Sequence, residues 1–317
     1  MKSTTKRSLL SIRQLDEQWR KDIIQRGQAL YNSISSGAPA MVLQNKIVGL
    51  LFEQPSHRTK NSFATAAMYL GAHVLDFSQS YAESMKRGES LYDFFRTIEV
   101  YVDSVVVRST LPTFVGEVDT LVDVPVINAG NGRDEHPTQA LGDLSFLLSI
   151  YPDLVGLEVA LIGPLRDSRC ANSLVLLLSP HQPRLTLVSP PHLTLRSDIL
   201  TTAETLGASI TITHELSDAF ASKVLYWTGA LPEDFADTDD YNRYKAWFSL
   251  DTTSVGKIRS DTIVLHPLPR GEELPQTFSI DPRAKFFDQV RHALAVRLGL
   301  LETILCSSTD DIIKKSS

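Results

Sequence analysis

Nine short apolar runs, most of them rich in β-branched residues, recur along the chain with helix-length segments between them. They begin at "KIVGLLFE" (46), "HVLDFS" (73), "DSVVVRS" (103), "VPVINAG" (124), "LEVALIGP" (157), "RLTLVSP" (184), "SITITHE" (209), "KVLYWTG" (223) and "TIVLHPLP" (262). None keeps a sustained alternation of apolar and polar residues, so both faces of each strand are expected to be buried. That is the mark of parallel sheets built from right-handed βαβ units. The expected fold class is therefore α/β, with two domains that are each a mainly parallel sheet flanked by helices. A chain of 317 residues is long enough for two such cores.

The break between the domains is expected near "SIYPDLVGLE", residues 149–158, where a long helical stretch meets Pro152 and the strand-helix count restarts. This gives domains over 1–150 and 151–285. A periodic final helix follows over 286–305, and the polar tail beyond it is expected to fray. The formal net charge of −6 gives no general attraction to nucleic acid or to an anionic membrane, so any anion site must be a local concentration of positive charge. Two cysteines, Cys170 and Cys306, are too few for a disulfide framework or a metal cluster. With no signal peptide and no apolar run near 20 residues, the expected location is the cytoplasm.

Several strand ends carry chemistry. "EQPSHRTKNSF" sets Ser56, His57, Arg58 and Thr59 on the lip of a helix. Such residues either cap the helix or, with its free N–H groups, cradle an anion. "NAGNGRDEHPTQALGDL" runs from a strand through glycines to His136 and Gln139, one helical turn apart and able to face one spot. That imidazole either caps its own turn or polarises a carbonyl oxygen. Arg108 ends the "DSVVVRS" strand, and Arg166 and Arg169 occupy the corresponding loop of the second half. Each alone reads more readily as a surface ion pair. "LHPLPRGEE" ends a strand in prolines that fix backbone carbonyls in direction. All five stretches lie at the C-terminal ends of predicted strands, where open parallel sheets bind ligands.

In order and spacing, "PSHRTKNSF", "KRGESLYD", "VVVRS", "HPTQALGDL", "DSR" and "HPLPR" together resemble the aspartate/ornithine carbamoyltransferase family. "HPTQAL" and "HPLPR" are closer to its aspartate branch. The resemblance implies a carbamoyl-phosphate-binding domain completed by the last helix, an acceptor-binding domain, and a homotrimer with active sites between subunits. It implies that Ser56, Arg58, Thr59 and Arg108 hold the phosphate, with His57 standing in that loop for a threonine. It also implies that Thr59, Arg108 and His136 reach the carbamoyl oxygen. Gln139 and the carbonyls of Leu268 and Pro269 then face the carbamoyl amide, Arg169 takes the acceptor's α-carboxylate, and Arg87 replaces a lysine sent into the neighbour's site. Such a transfer calls for no metal, flavin or nucleotide.

The chain also departs from the family. After "KVLYWT" the aspartate enzymes place an arginine and, two residues on, a glutamine that clamp the acceptor's side-chain carboxylate; here Gly229 and Leu231 stand in those positions. An amino-acid-like acceptor other than aspartate is therefore expected. The alternatives are a substitute clamp from Arg243 or Arg270, or a degenerate homologue that serves as a regulatory or assembly partner. A dinucleotide enzyme is disfavoured because "LIGPLRDSRCANS" has a single glycine. Glu83, in place of a serine, is expected to pair with Arg87, the alternative being that it faces a cationic part of an unfamiliar acceptor.

Overall fold

The structure is a computed structural model, and it describes residues 6–38, 40–229 and 237–306. The chain divides into two units: residues 1–145 with 292–317, and residues 146–291.

In the first unit, α1 (Glu17–Ser35) precedes β1 (Ile47–Phe52), α2 (His57–Tyr69), β2 (His73–Asp76), α3 (Ser78–Lys86) and α4 (Leu91–Ile98). The chain then forms β3 (Ser104–Ser109), α5 (Phe114–Leu121), β4 (Val126–Asn131) and α6 (Pro137–Ile150). The four strands are parallel, in the order β2-β1-β3-β4. β1, β3 and β4 are almost wholly buried, whereas β2, at the edge, is largely exposed. One core cluster gathers Leu51, Val105 and Val107 with an aromatic group of Tyr81, Phe94, Phe95 and Phe114. The Phe94 and Phe95 rings meet edge to face at 5.5 Å, a favoured aromatic geometry.

The second unit holds β5 (Glu158–Ile162), α7 (Arg169–Leu178), β6 (Arg184–Val188), α8 (Ser197–Thr205) and β7 (Ser209–Thr213). After these come β8 (Val224–Trp227), α9 (Thr238–Phe248), α10 (Thr252–Val255), β9 (Ile263–Leu265) and the start of α11 (Phe286–Leu305). Its sheet is also parallel, in the order β7-β6-β5-β8-β9. Trp227, Phe248, Phe278 and Phe286 fill its core.

All nine predicted strands are present, which gives the α/β class with two parallel sheets. The division between units falls inside α6 at residue 145, a few residues before the sequence break at Pro152, and the helix itself runs unbroken to Ile150. α11 is likewise shared, its residues from His292 onward belonging to the first unit. There α11 passes against α1 at backbone contact. A Cβ on Gly299 would lie 2.1 Å from the Ile23 carbonyl oxygen, so only glycine permits this approach.

Candidate active site

Each sheet has one point where the chain turns from building outward on one side to building on the other. In the first unit it lies between β1 and β3, and in the second between β5 and β8. Ligands of open parallel sheets bind beyond the strand ends at such points.

The first switch point brings together the β1–α2 loop and Arg108. Phe52 pairs with Arg108 in register, and the Glu53 N–H donates to the Arg108 carbonyl at 3.0 Å. The nearly buried Arg108 guanidinium donates to Gln54 Oε1 at 3.3 Å and to the Ala129 carbonyl at 3.5 Å, so it spans from the β1 loop to β4. Ser109 donates to the Glu53 carboxylate and braces the same loop. Ser56 occupies the N-cap of α2 with extended backbone, yet its hydroxyl makes no capping bond. The capping reading of that serine therefore fails, and the hydroxyl stays at the positive end of the helix beside Arg58 and buried Thr59. Arg58 meets His57 Nε2 at 3.2 Å. Lys60 points elsewhere, into an ion pair with Asp76. Burial works against the Asp76 charge, but the bonds from Lys60 and Ser78 prevail and hold its pKa below the usual value.

β4 delivers His136 and Gln139. The turn after it is knotted by side chains: Asn131 Nδ2 donates to the Pro112 carbonyl at 2.7 Å, and Asn131 Oδ1 accepts the Glu135 N–H at 3.0 Å. Glu135 is buried, accepting from Ser11 Oγ (2.6 Å), the Ile12 N–H (2.7 Å) and Arg13 (3.0 Å). Burial raises its pKa despite those donors. His136 is 4% exposed just ahead of α6, and its carbonyl accepts the Gln139 N–H at 3.1 Å. The Gln139 side chain is half-buried and donates to Asp143 Oδ1 at 2.8 Å.

Arg87 is the exposed C-cap of α3. The expected Glu83–Arg87 pair is absent. Glu83 lies one helical turn from Gln79 and accepts its amide at 2.9 Å, a local partner within the same helix.

In the second unit, Arg169 is the first residue of α7, and Ser168 caps the helix through the Ala171 N–H. Arg166 is exposed. β8 and β9 run side by side, so Gly229 beyond the first and the 266–270 turn beyond the second are neighbours. His266, 1% exposed, organises that turn. Its Nδ1 accepts the Leu268 N–H at 2.8 Å, which leaves Nε2–H to donate to Glu273 Oε1 at 2.8 Å. Leu268 sits at φ +61, a left-handed conformation that this bond to His266 fixes. Gly229 is also left-handed, at φ +77, and a Cβ there would stand 3.3 Å from His266 Cε1 and 3.7 Å from the Pro269 carbonyl oxygen. Leu231 lies outside the described residues.

Of the two substitute clamps, Arg270 is already committed. It donates to the Pro275 carbonyl at 3.2 Å and to Ser279 Oγ at 2.7 Å, and lies 4.5 Å over the Phe286 ring. Arg243 is exposed on α9. Sequence reasoning missed Asp143, Glu135, Glu273 and Arg297. The nearly buried Arg297 guanidinium joins α2 and α6 by donating to Ser62 (2.9 Å) and Thr138 (3.5 Å). The available signal was a charge inside the apolar run "LAVRLGLL". Among the described residues no group of three or more His, Cys, Asp or Glu could hold a metal ion, and no helix is long and apolar enough to cross a membrane.

Residues 7–149 match the carbamoyl-P binding domain of aspartate/ornithine carbamoyltransferase, and residues 155–304 match the Asp/Orn binding domain of the same family. The chain is 32% identical over 299 residues to the aspartate carbamoyltransferase catalytic subunit of Picrophilus torridus, covering 94% of this chain and 98% of that one. It is 33% identical over 307 residues to the corresponding subunit of Methanopyrus kandleri, covering 96% and 99%. Among solved structures, aspartate transcarbamoylase from Trypanosoma cruzi in complex with carbamoyl phosphate and aspartate superposes with a TM-score of 0.88. The two are 33% identical, with 94% of this chain and 95% of that chain covered. The M. jannaschii catalytic subunit gives a TM-score of 0.87 at 30% identity, covering 95% and 98%.

Proposed function

The chain belongs to the aspartate/ornithine carbamoyltransferase family and is a carbamoyltransferase of the aspartate transcarbamoylase type; from that premise we propose that it carbamoylates an amino-acid-like amine other than L-aspartate. The observation that carries this reading is Gly229. The family's acceptor-clamping arginine belongs at this position, and here the backbone is left-handed and lies against His266. A desolvated carboxylate deprived of its cationic partner costs on the order of 2–5 kcal/mol, or about 30-fold to several thousand-fold in affinity. Arg270 is held by Pro275, Ser279 and Phe286, which argues against its serving as a replacement.

In this mechanism Ser56, Arg58, Thr59 and Arg108 neutralise the phosphate, with His57 at the rim of that loop. Thr59, Arg108 and His136 donate to the carbonyl oxygen as negative charge gathers on it. Gln139 and the carbonyls of Leu268 and Pro269 take the carbamoyl N–H groups, and Arg169 takes the acceptor's α-carboxylate. Gly229 stands at the place of the missing clamp. The amine nitrogen forms its bond to the carbamoyl carbon, and the C–O bond to phosphate breaks with its electron pair leaving on phosphate. The ammonium proton passes to the departing phosphate. Holding the two reactants aligned supplies roughly 7–11 kcal/mol in favourable cases. A cytoplasmic homotrimer in which Arg87 enters the neighbouring subunit's site belongs to the same proposal, as does the assignment of residues 1–150 with the final helix to the donor and 151–285 to the acceptor.

The test is phosphate release from carbamoyl phosphate with a panel of amino acids and diamines. Turnover with another amine but not with L-aspartate is expected. Efficient turnover of L-aspartate means a substitute clamp exists, and tight donor binding without turnover for any amine means a degenerate homologue.

A further inference from the structure

We propose that Asp143 is a positioning residue that sets which end of the Gln139 amide meets the substrate, so that the site selects a donor bearing an amide nitrogen over one bearing a methyl group. This inference rests on the reading above that Gln139 faces the carbamoyl amide.

A glutamine amide has a carbonyl end and an NH2 end of nearly equal size, and a site that accepts N–H groups needs the carbonyl. A lone glutamine turns either way. Asp143 lies one turn along α6, fully buried, with Oδ1 at 2.8 Å from Gln139 Nε2. An ionised carboxylate only accepts, so it takes the NH2 end and turns Gln139 Oε1 the other way. The charge this requires has a counterpart in Arg297, which is itself 3% exposed and which Asp143 stabilises in its charged form. Burial pushes Arg297 down to about 10, so it remains a cation at neutral pH. An ordinary i,i+4 pair on a helix surface needs no buried countercharge. Arg297 further ties Ser62 on α2 to Thr138, the residue before Gln139, so the helices that carry Arg58 and Gln139 share one buried strut.

The experiment compares Asp143→Asn with the unaltered protein, using carbamoyl phosphate, acetyl phosphate and inorganic phosphate as binding probes. The substituted side chain can offer its own NH2 to Gln139 and let the amide turn over. Carbamoyl phosphate binding is expected to weaken roughly ten-fold while acetyl phosphate, with a methyl in place of the amide nitrogen, and inorganic phosphate change little. Discrimination between the first two should therefore collapse. In a Gln139→Ala background the Asp143→Asn change should add nothing further. Equal weakening for all three probes, or an additive loss in the Gln139→Ala background, overturns the proposal in favour of a purely structural role. If Gln139→Ala itself leaves carbamoyl phosphate binding unchanged, the parent reading of Gln139 fails. An impaired Gln139→Ala beside an unimpaired Asp143→Asn sinks the positioning role alone. Should Asp143→Asn fail to fold with Arg297 left uncompensated, Asp143→Asn/Arg297→Gln removes both charges and takes its place.

Discussion

The imidazole of His266 is held from both sides, accepting the Leu268 N–H at Nδ1 and donating from Nε2 to the Glu273 carboxylate. Glu273 also accepts the Gly271 N–H at 2.9 Å. Burial works against its charge, yet these donors prevail and its pKa lies below the ordinary value of 4.5. A depressed carboxylate pKa contributes stability that is fully present above 4.5 and is lost as pH falls through the folded value. Glu273→Gln should lower stability by about 1–3 kcal/mol at pH 7. Denaturation curves from pH 7 to pH 3 should show the two proteins converging at the acid end; a constant gap would mean that the carboxylate charge plays no part.

Replacing Gly229 with arginine should not restore a preference for aspartate. A side chain at φ +77 is strained, by about 1–2 kcal/mol in a left-handed conformation, and this one would start 3.3 Å from His266 Cε1. The Gly229→Arg protein is expected to bind aspartate no better than its parent and to melt at a lower temperature. A large gain in aspartate turnover would show that the backbone here adapts.

Arg58 and Lys60 are two residues apart with opposite expectations. Arg58→Ala should weaken carbamoyl phosphate binding by about 30-fold to several thousand-fold, the cost of removing a cation from a desolvated anion. Lys60 is spent on Asp76, so Lys60→Ala should change binding by no more than a few-fold. Calorimetric titration separates them, and comparable losses would contradict the assignment.

The contact between α1 and α11 can be tested with two alanines. Gly299→Ala drives a methyl to 2.1 Å from the Ile23 carbonyl oxygen and should cost about 3 kcal/mol or more. Gly116→Ala in α5 meets nothing within 4 Å and should be neutral or stabilising by up to about 1 kcal/mol. Chemical denaturation of both variants reads the difference.

The strands were legible because burial on both faces leaves uninterrupted apolar runs, as in β3 and β5. Even the exposed edge strands β2 and β7 could be read from their spacing. The residues of the β1–α2 loop stood out because strand, polar turn and helix follow one another directly in the chain. Partners set by tertiary contact were hidden. Asp143 looks like any polar residue of a helix until Arg297, from the far end of the chain, is brought beside it. Glu273 reads as part of a charged surface run, "GEE", although His266 draws it inside. Around Glu83 the sequence offers both a cation four residues on and a neutral amide four residues back, and in the fold the amide supplies the bond.

The first unit is assembled from two stretches of chain separated by residues 146–291. On the ribosome its opening 145 residues therefore emerge without the helix that packs at Gly27 and Gly299, while the second unit is made in full. At roughly 5–20 residues per second this interval lasts about 7–30 s. Throughout it the face of α1 at Ile23 and Gly27 lacks its partner helix, and a stop codon anywhere before His292 would leave that face uncovered for good.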